Sequence, residues 1–350
     1  MSVPAPLACA IHGLCGACDR MPLGAEAALD AKVEHVEKLL RRSVDLVHPS
    51  PRPLGYRARV ELKVDSGGRL GYFRPRSHEH VPVPECAIAR PEINAVLGQL
   101  PPLQGLEVVE LRSDGERIVL HAGPGRGKQH PKAIKRILRQ KIDESSALAD
   151  YGLSGVAVAG RPLFGDCSLQ IVAGGVTHHI SPGSFYQVNL EVNQLLVNRV
   201  GSGVRGGSPS GVLDLYSGAG NLSMPLAANG IAVTQVELAG SSVRDARATA
   251  RRYGLQVDIR EGNAGKTSAG DIFFDVAILD PPRGGAPGLL AELMVTRPRA
   301  IFYVSCEAKS LARDLRHAEG LGYRVSSLEL FDMFPQTSHC ETLCILERDA

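Results

Sequence analysis

A thiol at the end of an apolar run is the residue of this chain whose position most directly suggests chemistry. Residues 301–304 are Ile, Phe, Tyr and Val, and Ser305 and Cys306 follow them. A continuous apolar run this short predicts a strand buried on both faces, and residues 307–315 predict a helix beginning directly after it. Cys306 would then lie at the carboxyl end of a central strand, where open α/β sheets bind ligands. The helix amino terminus can lower the pKa of such a thiol and so favour the nucleophilic thiolate, although a lone Cys here is more often a packing residue.

A glycine turn and an acid indicate a nucleotide-type ligand nearby. The turn Gly218-x-Gly220 follows the predicted strand 212–216, and it lacks the third glycine of the dinucleotide fingerprint. Glu237 ends the next predicted strand, where a carboxylate can accept hydrogen bonds from both ribose hydroxyls. Alone, Glu237 could equally be a solvated strand end. Together with Asp280 below, the pattern favours S-adenosylmethionine over NAD.

Asp280 follows the predicted strand 274–279 and opens the sequence Asp-Pro-Pro-Arg. Several methyltransferases grip the target base at such a motif, and in those that methylate exocyclic amines an aromatic residue usually follows the prolines. Here Arg283 follows, and Cys306 ends the next strand. This pairing favours methylation of carbon over methylation of nitrogen.

The elements that must position these residues alternate between strand and helix after about residue 210. The predicted fold class is therefore α/β, with a doubly wound, mostly parallel, Rossmann-like sheet. A Gly/Ser-rich stretch, 201–210, is predicted to be a linker before it. The predicted strands are 212–216, 232–237, 257–260, 274–279, 301–304, 323–330 and 342–347, and the predicted helices are 190–200, 221–229, 241–253, 287–296 and 307–315.

The region before this sheet is predicted to be a smaller β-rich domain with one helix, 131–142. Alternating patterns and turn residues predict hairpins within 56–80, 106–121 and 168–180. The stretch 126–141 is basic without an acid, so its helix is either a solvated face or a phosphate-contacting patch. We expect three domains: 1–48 with a Cys cluster and a helix over 24–42, 49–180 as the RNA-contacting β-rich domain, and 181–350 as the methyltransferase domain.

Three Cys residues near the amino end have spacing typical of metal ligands. Cys9, Cys15 and Cys18 form a C-x5-C-x2-C pattern, and Cys86 is the best isolated candidate for a fourth ligand. Four thiolates suit an iron–sulfur cluster or zinc, and His12 lies close in sequence. Thiols without any metal are the remaining interpretation.

Composition sets the outer limits. The chain has 350 residues, of which 44% are hydrophobic and 22% charged, with a net charge of +2, so any nucleic-acid contact must come from local patches. No apolar stretch reaches the roughly 20 residues of a membrane span. With no signal-peptide pattern, we expect a cytoplasmic monomer without membrane contact.

Taken together, the chain resembles the RNA 5-methyluridine methyltransferase family over nearly its whole length. The resemblance implies that Gln187, Tyr216, Glu237 and Asp280 bind S-adenosylmethionine. It further implies a nucleophile at Cys306, a base at Glu341 and a 4Fe–4S cluster held by the four Cys. The motifs that carry it are the Cys cluster with Cys86, Phe185-x-Gln187-Val188-Asn189, Asp214-Leu215-Tyr216-Ser217-Gly218-x-Gly220, Asp280-Pro281-Pro282-Arg283, Ser305-Cys306 with Leu311-Ala312-Arg313-Asp314, and Met333-Phe334-Pro335-x-Thr337-x-His339-x-Glu341.

Two positions depart from the family pattern. Glu307-Ala308 replaces the usual Asn-Pro, and Ala58 stands where the central hairpin usually has an Asn. The chain begins almost directly at the Cys cluster, without a β-barrel RNA-binding domain, and this layout resembles the branch that modifies 23S ribosomal RNA. A tRNA T-loop target, a non-catalytic RNA-binding or assembly factor and an iron–sulfur redox protein are the alternatives.

The chemistry explains why a thiol and a carboxylate are both needed. A thiolate that adds to carbon 6 of uracil makes carbon 5 nucleophilic, and a base must later remove the proton from carbon 5. Glu341 is the candidate base, with His339 the next, and a surface acid on the last strand is the plain interpretation. We interpret Cys167, Cys340 and Cys344 as packing residues.

Overall fold

The computed structural model describes residues 9–123, 129–143, 150–266, 272–286, 288–293 and 296–349. Its helices are α1 (Ala25–Leu40), α2 (Pro91–Gln99), α3 (Pro131–Lys141), α4 (Leu190–Gly206), α5 (Met224–Ala228), α6 (Gly240–Tyr253), α7 (Leu289–Leu293) and α8 (Ala308–Gly320). Its strands are β1 (Leu46–His48), β2 (Arg59–Val64), β3 (Leu70–Phe73), β4 (His80–Pro82), β5 (Val108–Ser113), β6 (Ile118–Ala122), β7 (Gly155–Val158), β8 (Arg161–Gly165), β9 (Leu169–Ala173), β10 (Val176–Ile180), β11 (Val212–Leu215), β12 (Val233–Glu237), β13 (Val257–Glu261), β14 (Val276–Leu279), β15 (Ala300–Ser305), β16 (Tyr323–Phe331) and β17 (Glu341–Arg348).

The larger sheet has eight strands in the order β1-β16-β17-β15-β14-β11-β12-β13. The five strands from β15 to β13 in this order are parallel, while β17 runs antiparallel to both β15 and β16. The predicted doubly wound sheet is thereby confirmed. The strand that carries Cys306, β15, lies inside the sheet between β14 and β17.

Both faces of this sheet are covered, which explains why its strands are apolar runs without alternation. Along β15, Ile301 and Tyr303 pack in a cluster with residues of α7 and α8, whereas Phe302 and Val304 pack in a second cluster with residues of α4 and α5. Of the predicted helix 287–296, the structure describes Leu289–Leu293 as helix, and residues 287, 294 and 295 lie outside the described residues.

The amino-terminal helix and strand also belong to this layer. β1 pairs in parallel with β16, and Val36 of α1 lies in the same apolar cluster as Leu311 and Leu315 of α8. The sequence analysis grouped 1–48 with the Cys cluster, of which 1–8 lie outside the described residues. The structure shows that 25–48 pack on the large sheet instead, and the division into domains stays a proposal.

The prediction of a linker over 201–210 is wrong for residues 201–206, because α4 continues to Gly206. Val200 and Val204 are buried against the sheet, so the helix gains apolar contacts beyond the point where composition suggests a break. Gly203 faces the ring of Phe302, and a Cβ there would lie 2.7 Å from it. The glycine is therefore needed for close packing of helix on sheet.

The second sheet has seven strands in the order β4-β3-β2-β5-β6-β7-β8, antiparallel except for the pair β6–β7. The predicted hairpins of this region are confirmed, as is the helix over 131–142. α2 was not predicted, although its buried residues Ile93, Val96 and Leu97 stand at helical spacing. Of the basic stretch, Arg126 and Lys128 lie outside the described residues, and Arg136 and Arg139 of α3 are exposed.

The hairpin β9–β10 forms a sheet of its own and packs on α6 and α4 of the larger layer. Among the described ranges, no helix is both long and apolar enough to span a bilayer.

A buried ion pair joins α1 to the segment after β16. Lys32 is 2% exposed, and its Nζ donates to Asp332 Oδ1 at 2.6 Å. We expect Lys32→Ala to lower the free energy of unfolding by about 3–5 kcal/mol, because it leaves a buried charge unpaired. Arg324→Ala, which breaks the exposed pair between Arg324 and Glu347, should cost about 0–1 kcal/mol.

Urea unfolding of both variants against the wild type measures these differences. Replacing the pair as a whole, with Lys32→Met and Asp332→Leu together, should recover most of the loss, since no uncompensated charge remains. A Lys32→Ala protein as stable as the Arg324→Ala protein would contradict a contribution from the buried pair.

Candidate active site

Cys306 and Glu341 face each other at the ends of two paired strands. In the antiparallel pair β15–β17, the last paired residues are Ser305 and Thr342, and the next position brings Cys306 opposite Glu341. The Thr342 hydroxyl donates to the Ser305 carbonyl at 3.1 Å and holds this end of the ladder. Opposite residues of an antiparallel pair share a face, with Cβ atoms roughly 4.5–5.5 Å apart. The structure therefore brings together the thiol and the carboxylate that the sequence placed two strands apart.

The pKa of the Cys306 thiol is raised, contrary to the prediction from the helix terminus. Burial raises the pKa of Cys306 to about 11, and the carboxylates of Glu341 and Asp280 add to the rise, while Arg283 opposes it. The N-cap residue of the following helix is Glu307, whose side chain accepts a hydrogen bond from the Lys309 amide. An acidic cap places negative charge where the sequence argument assumed only the positive end of the dipole.

Glu341 is a buried acid without a hydrogen bond to one of its oxygens. It is 2% exposed, and Oε1 has no partner in the described chain. Burial and, after it, the neighbouring carboxylate of Asp280 raise the pKa of Glu341 well above its usual value. Such a carboxyl group becomes a stronger base than a solvated Glu once it is ionised.

Asp280 lies directly after β14, next to β15. Asp280 is half-buried, and this burial, together with the charge of Glu237, raises its pKa to about 7. Asp280 thus connects two neighbours electrostatically, Glu341 on one side and Glu237 on the other. These three acids lie along the carboxyl edge of the parallel strands, where the sequence predicted them.

Glu237 is tied to the glycine turn rather than solvated. Its Oε2 accepts a hydrogen bond from the Gly218 amide at 2.9 Å, and its Oε1 accepts one from the Ala239 amide at 2.6 Å. Tyr216, which precedes the turn, has φ of +62°. A non-glycine residue in the left-handed region is strained, and such strain concentrates at ligand sites.

Asp214 is a site residue that the sequence analysis quoted as a motif but assigned no role. It is 1% exposed; its Oδ2 accepts from the Ser223 hydroxyl at 2.5 Å, and Gln235 Nε2 donates to that hydroxyl at 2.8 Å. Its Oδ1 has no partner among the described residues, and burial raises its pKa to about 8. The sequence did contain a signal for this residue, because Asp214 is an acid inside the otherwise apolar run 212–215.

The edge fits S-adenosylmethionine, whose sulfonium is positive. The carboxylates of the protein at this edge supply the opposite charge. Asp214 Oδ1 and Glu341 Oε1 are in addition buried acceptors without a partner in the described residues. Burial of unpaired acceptors is costly unless a ligand satisfies them.

Gln187 lies in a loop whose neighbouring residues are anchored by hydrogen bonds. Gln187 itself is 8% exposed. The guanidinium of the fully buried Arg112 donates to the carbonyls of Ser181, Pro182 and Ser184. The hydroxyl of Tyr186, the residue before Gln187, donates to the Ala58 carbonyl at 2.9 Å. Ala58 thus contributes its backbone where the family pattern has an Asn side chain.

The four Cys near the amino end line one small pocket, together with His12 and Tyr72. Burial, and the nearby thiols of the group, raise the pKa of Cys15 to about 11 and of Cys18 to about 12. Over the ranges that the structure describes, no three His, Cys, Asp or Glu side chains are gathered closely enough to hold a single metal ion. The donor set of four thiols around one cavity nevertheless matches that of an iron–sulfur cluster.

Comparison with known proteins identifies the family. The family model described as tRNA (Uracil-5-)-methyltransferase matches residues 165–256 and 267–349, half of the chain. The chain belongs to this family. The 23S rRNA (uracil(1939)-C(5))-methyltransferases RlmD of Marinomonas sp. and Salmonella paratyphi A are 31% and 30% identical to it, over 97% of this chain and 80% and 81% of their own lengths.

A solved structure agrees with the fold. The tRNA (uracil-54, C5)-methyltransferase of Pyrococcus abyssi, in complex with S-adenosyl-L-homocysteine, aligns with a TM-score of 0.78 at 23% identity. The alignment covers 99% of this chain and 86% of that one.

The raised pKa of Asp280 makes a prediction about stability and pH. The carboxyl ionises at about pH 3.9 in an unfolded chain and near pH 7 in the folded protein, so the folded state holds the proton more tightly. Its stabilising contribution is complete below about pH 4 and is lost as the pH rises through about 7. We expect the fall in Tm of the ligand-free protein between about pH 5 and pH 8 to be smaller for Asp280→Asn than for the wild type.

Calorimetric scans of both proteins at the two pH values measure this, and Asp258→Asn, an exposed change on β13, should follow the wild type. An Asp280→Asn protein with the full wild-type pH dependence would show that Asp280 ionises normally in the fold.

Proposed function

We propose that this protein methylates carbon 5 of a uridine in large-subunit ribosomal RNA, with S-adenosylmethionine as methyl donor. The observation that carries the proposal is Cys306 opposite Glu341, at the edge where Glu237 and Asp280 lie. The relatives that support ribosomal RNA match 97% of the chain at about 30% identity. A tRNA target is the second candidate, favoured by the description of the family model.

Cys306 starts the reaction. Carbon 5 of uracil is too weak a nucleophile to accept a methyl group unaided, so the Cys306 thiolate forms a bond to carbon 6 and its electron pair moves into the enolate at oxygen 4. Because burial and two carboxylates favour the protonated thiol, the thiol proton first passes to solvent. Arg283 is the neighbouring cation that favours the thiolate that remains. The target uridine has to leave its stack to reach this buried edge.

The cofactor site is assigned to Gln187, Tyr216, Glu237 and Asp280. S-adenosylmethionine supplies the methyl group that the activated carbon 5 accepts. Glu237, fixed by two backbone amides, keeps lone pairs on both oxygens for ribose hydroxyls. Asp280 places negative charge between Glu237 and Glu341.

Glu341 completes the reaction by removing the proton from carbon 5. The electron pair of that C–H bond restores the double bond between carbons 5 and 6, and the bond from carbon 6 to sulfur breaks. The thiolate leaves, and the proton stays on the Glu341 carboxylate. The raised pKa of this buried acid suits it to accept the proton.

We expect Cys306→Ala to abolish both methylation and covalent capture of RNA, and Glu341→Gln to accumulate a methylated protein–RNA adduct that cannot release. Denaturing gels with a labelled methyl donor measure both, with 23S rRNA and tRNA compared as substrates. The wild type should itself be trapped on RNA containing 5-fluorouridine, because fluorine cannot leave as a cation.

Cys167→Ala, which leaves Cys306, Glu341 and the assigned cofactor residues intact, should methylate and release as the wild type does. Normal turnover by Glu341→Gln would exclude Glu341 as the base and make His339 the next residue to test. A wild-type protein that transfers no methyl group to either RNA would overturn the proposed activity and favour a non-catalytic assembly factor.

We further propose that Cys9, Cys15, Cys18 and Cys86 hold a 4Fe–4S cluster. The four thiols line one cavity, and a cluster needs its thiolates farther apart than a single zinc ion does, because four iron atoms stand between them. The lack of a single-ion site among the described side chains is therefore compatible with a cluster. The assigned role is to hold the segment 9–18 against the second sheet.

Protein purified without oxygen should be brown, with broad visible absorption and about four iron atoms per chain. Cys86→Ala should lose the colour, whereas Cys167→Ala should keep it. Colourless protein with one zinc per chain would replace the cluster by a zinc site.

A further inference from the structure

The loop of residues 332–340, here called the base loop, leads from β16 directly into Glu341. The conformation of this loop therefore influences the position of the Glu341 carboxylate. The ends of the loop are fixed by the pairing of Phe331 with Glu341 between β16 and β17. The path between these ends is set by other contacts.

The first half of the base loop is held by α1 and by the chain before β2. Lys32 Nζ donates to Asp332 Oδ1 at 2.6 Å and to the Phe334 carbonyl at 2.9 Å. The hydroxyl of Tyr56, itself fully buried, donates to the Pro335 carbonyl at 3.0 Å. These bonds hold successive carbonyls of the loop.

The second half is held by the residues that directly follow Cys18. The Ser338 amide donates to Asp19 Oδ1 at 2.8 Å, and the Arg20 amide donates to the Gln336 carbonyl at 3.0 Å. Gln336 Nε2 also donates to the Pro53 carbonyl at 3.3 Å. The Cys segment is thereby connected to the base loop.

The base loop is strained and needs these contacts. Gln336 has φ of +66° although it is not a glycine, and it is 1% exposed. A residue in this region persists only where the surroundings fix it.

All hydrogen bonds that join the base loop to distant parts of the described chain come from residues 19–56. None comes from the parallel strands β11–β15 that carry the cofactor edge. Residues 19–56 also lie outside the stretch that the family model matches, which begins at 165. The catalytic base and the cofactor site are thus positioned by different parts of the molecule.

We propose that Asp19, Lys32 and Tyr56 are positioning residues for Glu341, and that they set the rate of proton removal from carbon 5 rather than the rate of methyl transfer. The inference rests on the proposed function. A purely structural role would lower stability and slow both steps equally. Positioning instead slows only the step that Glu341 performs.

Single-turnover reactions with labelled methyl donor separate the two steps, since adduct formation reports methyl transfer and adduct decay reports proton removal. We expect Asp19→Ala and Tyr56→Phe to form the methylated adduct at the wild-type rate, and each to release it roughly 3- to 10-fold more slowly, the worth of one hydrogen bond. Asp19→Asn keeps the oxygen that accepts from Ser338 and should restore release. Asp30→Ala, an exposed acid of α1, should behave as the wild type.

Thermal melting and visible absorption of each variant show that the fold and the cluster colour are retained. Equal slowing of formation and decay, or wild-type decay in both Asp19→Ala and Tyr56→Phe, would overturn the inference. Glu341→Gln is run in parallel: if it accumulates adduct while the positioning variants release normally, only this inference fails. If Glu341→Gln does not accumulate adduct, the assignment of the base fails and this inference fails with it.

Discussion

The antiparallel insertion of β17 between β15 and β16 is the constraint on which the active site depends. Parallel strands alone would bring only their carboxyl ends to the ligand edge, which is how Glu237 and Asp280 arrive there. Because β17 runs the other way, it begins at that edge, and its first residue, Glu341, lies opposite Cys306. The reversed strand therefore adds the Glu341 carboxyl group to an edge that already holds Cys306, Asp280 and Glu237. Besides burial, the charge of Asp280 raises the pKa of Glu341, and the charge of Glu237 raises the pKa of Asp280.

Much of this fold was predictable because its strands are unmixed apolar runs that end in chemically distinctive residues. The strands before Asp280 and Cys306 are buried on both faces. Their short, continuous apolar sequence is the pattern expected of such strands, so it predicted them correctly. Predictions failed where tertiary contacts override local composition. Gly203 looks like linker sequence, yet it lets α4 pack on Phe302. Likewise, β1 has only three residues, too few for a recognisable pattern, and it forms a strand because it pairs with β16.

The site was predictable as a set of residues but not as an electrostatic arrangement. Sequence places Cys306 before a helix, which alone predicts a lowered pKa. In the structure, burial and the carboxylates of Glu341 and Asp280 raise the pKa of Cys306 instead. Asp214 could be recognised as an acid within an apolar run, but its unpaired oxygen depends on how Ser223 and Gln235 pack around it. Contacts between residues 300 apart, such as Lys32 with Asp332, leave no local pattern.

That same separation has a consequence for how the protein is made. Lys32 emerges from the ribosome 300 residues before its partner Asp332, which lies between β16 and β17. The apolar face of α1 therefore stays uncovered until the residues that pack on it have been synthesised. Closing such a long loop is slow because its entropy must be lost before the contacts form. A chain truncated before β16 would therefore hold the strands β11–β15 but lack Glu341, the first residue of β17.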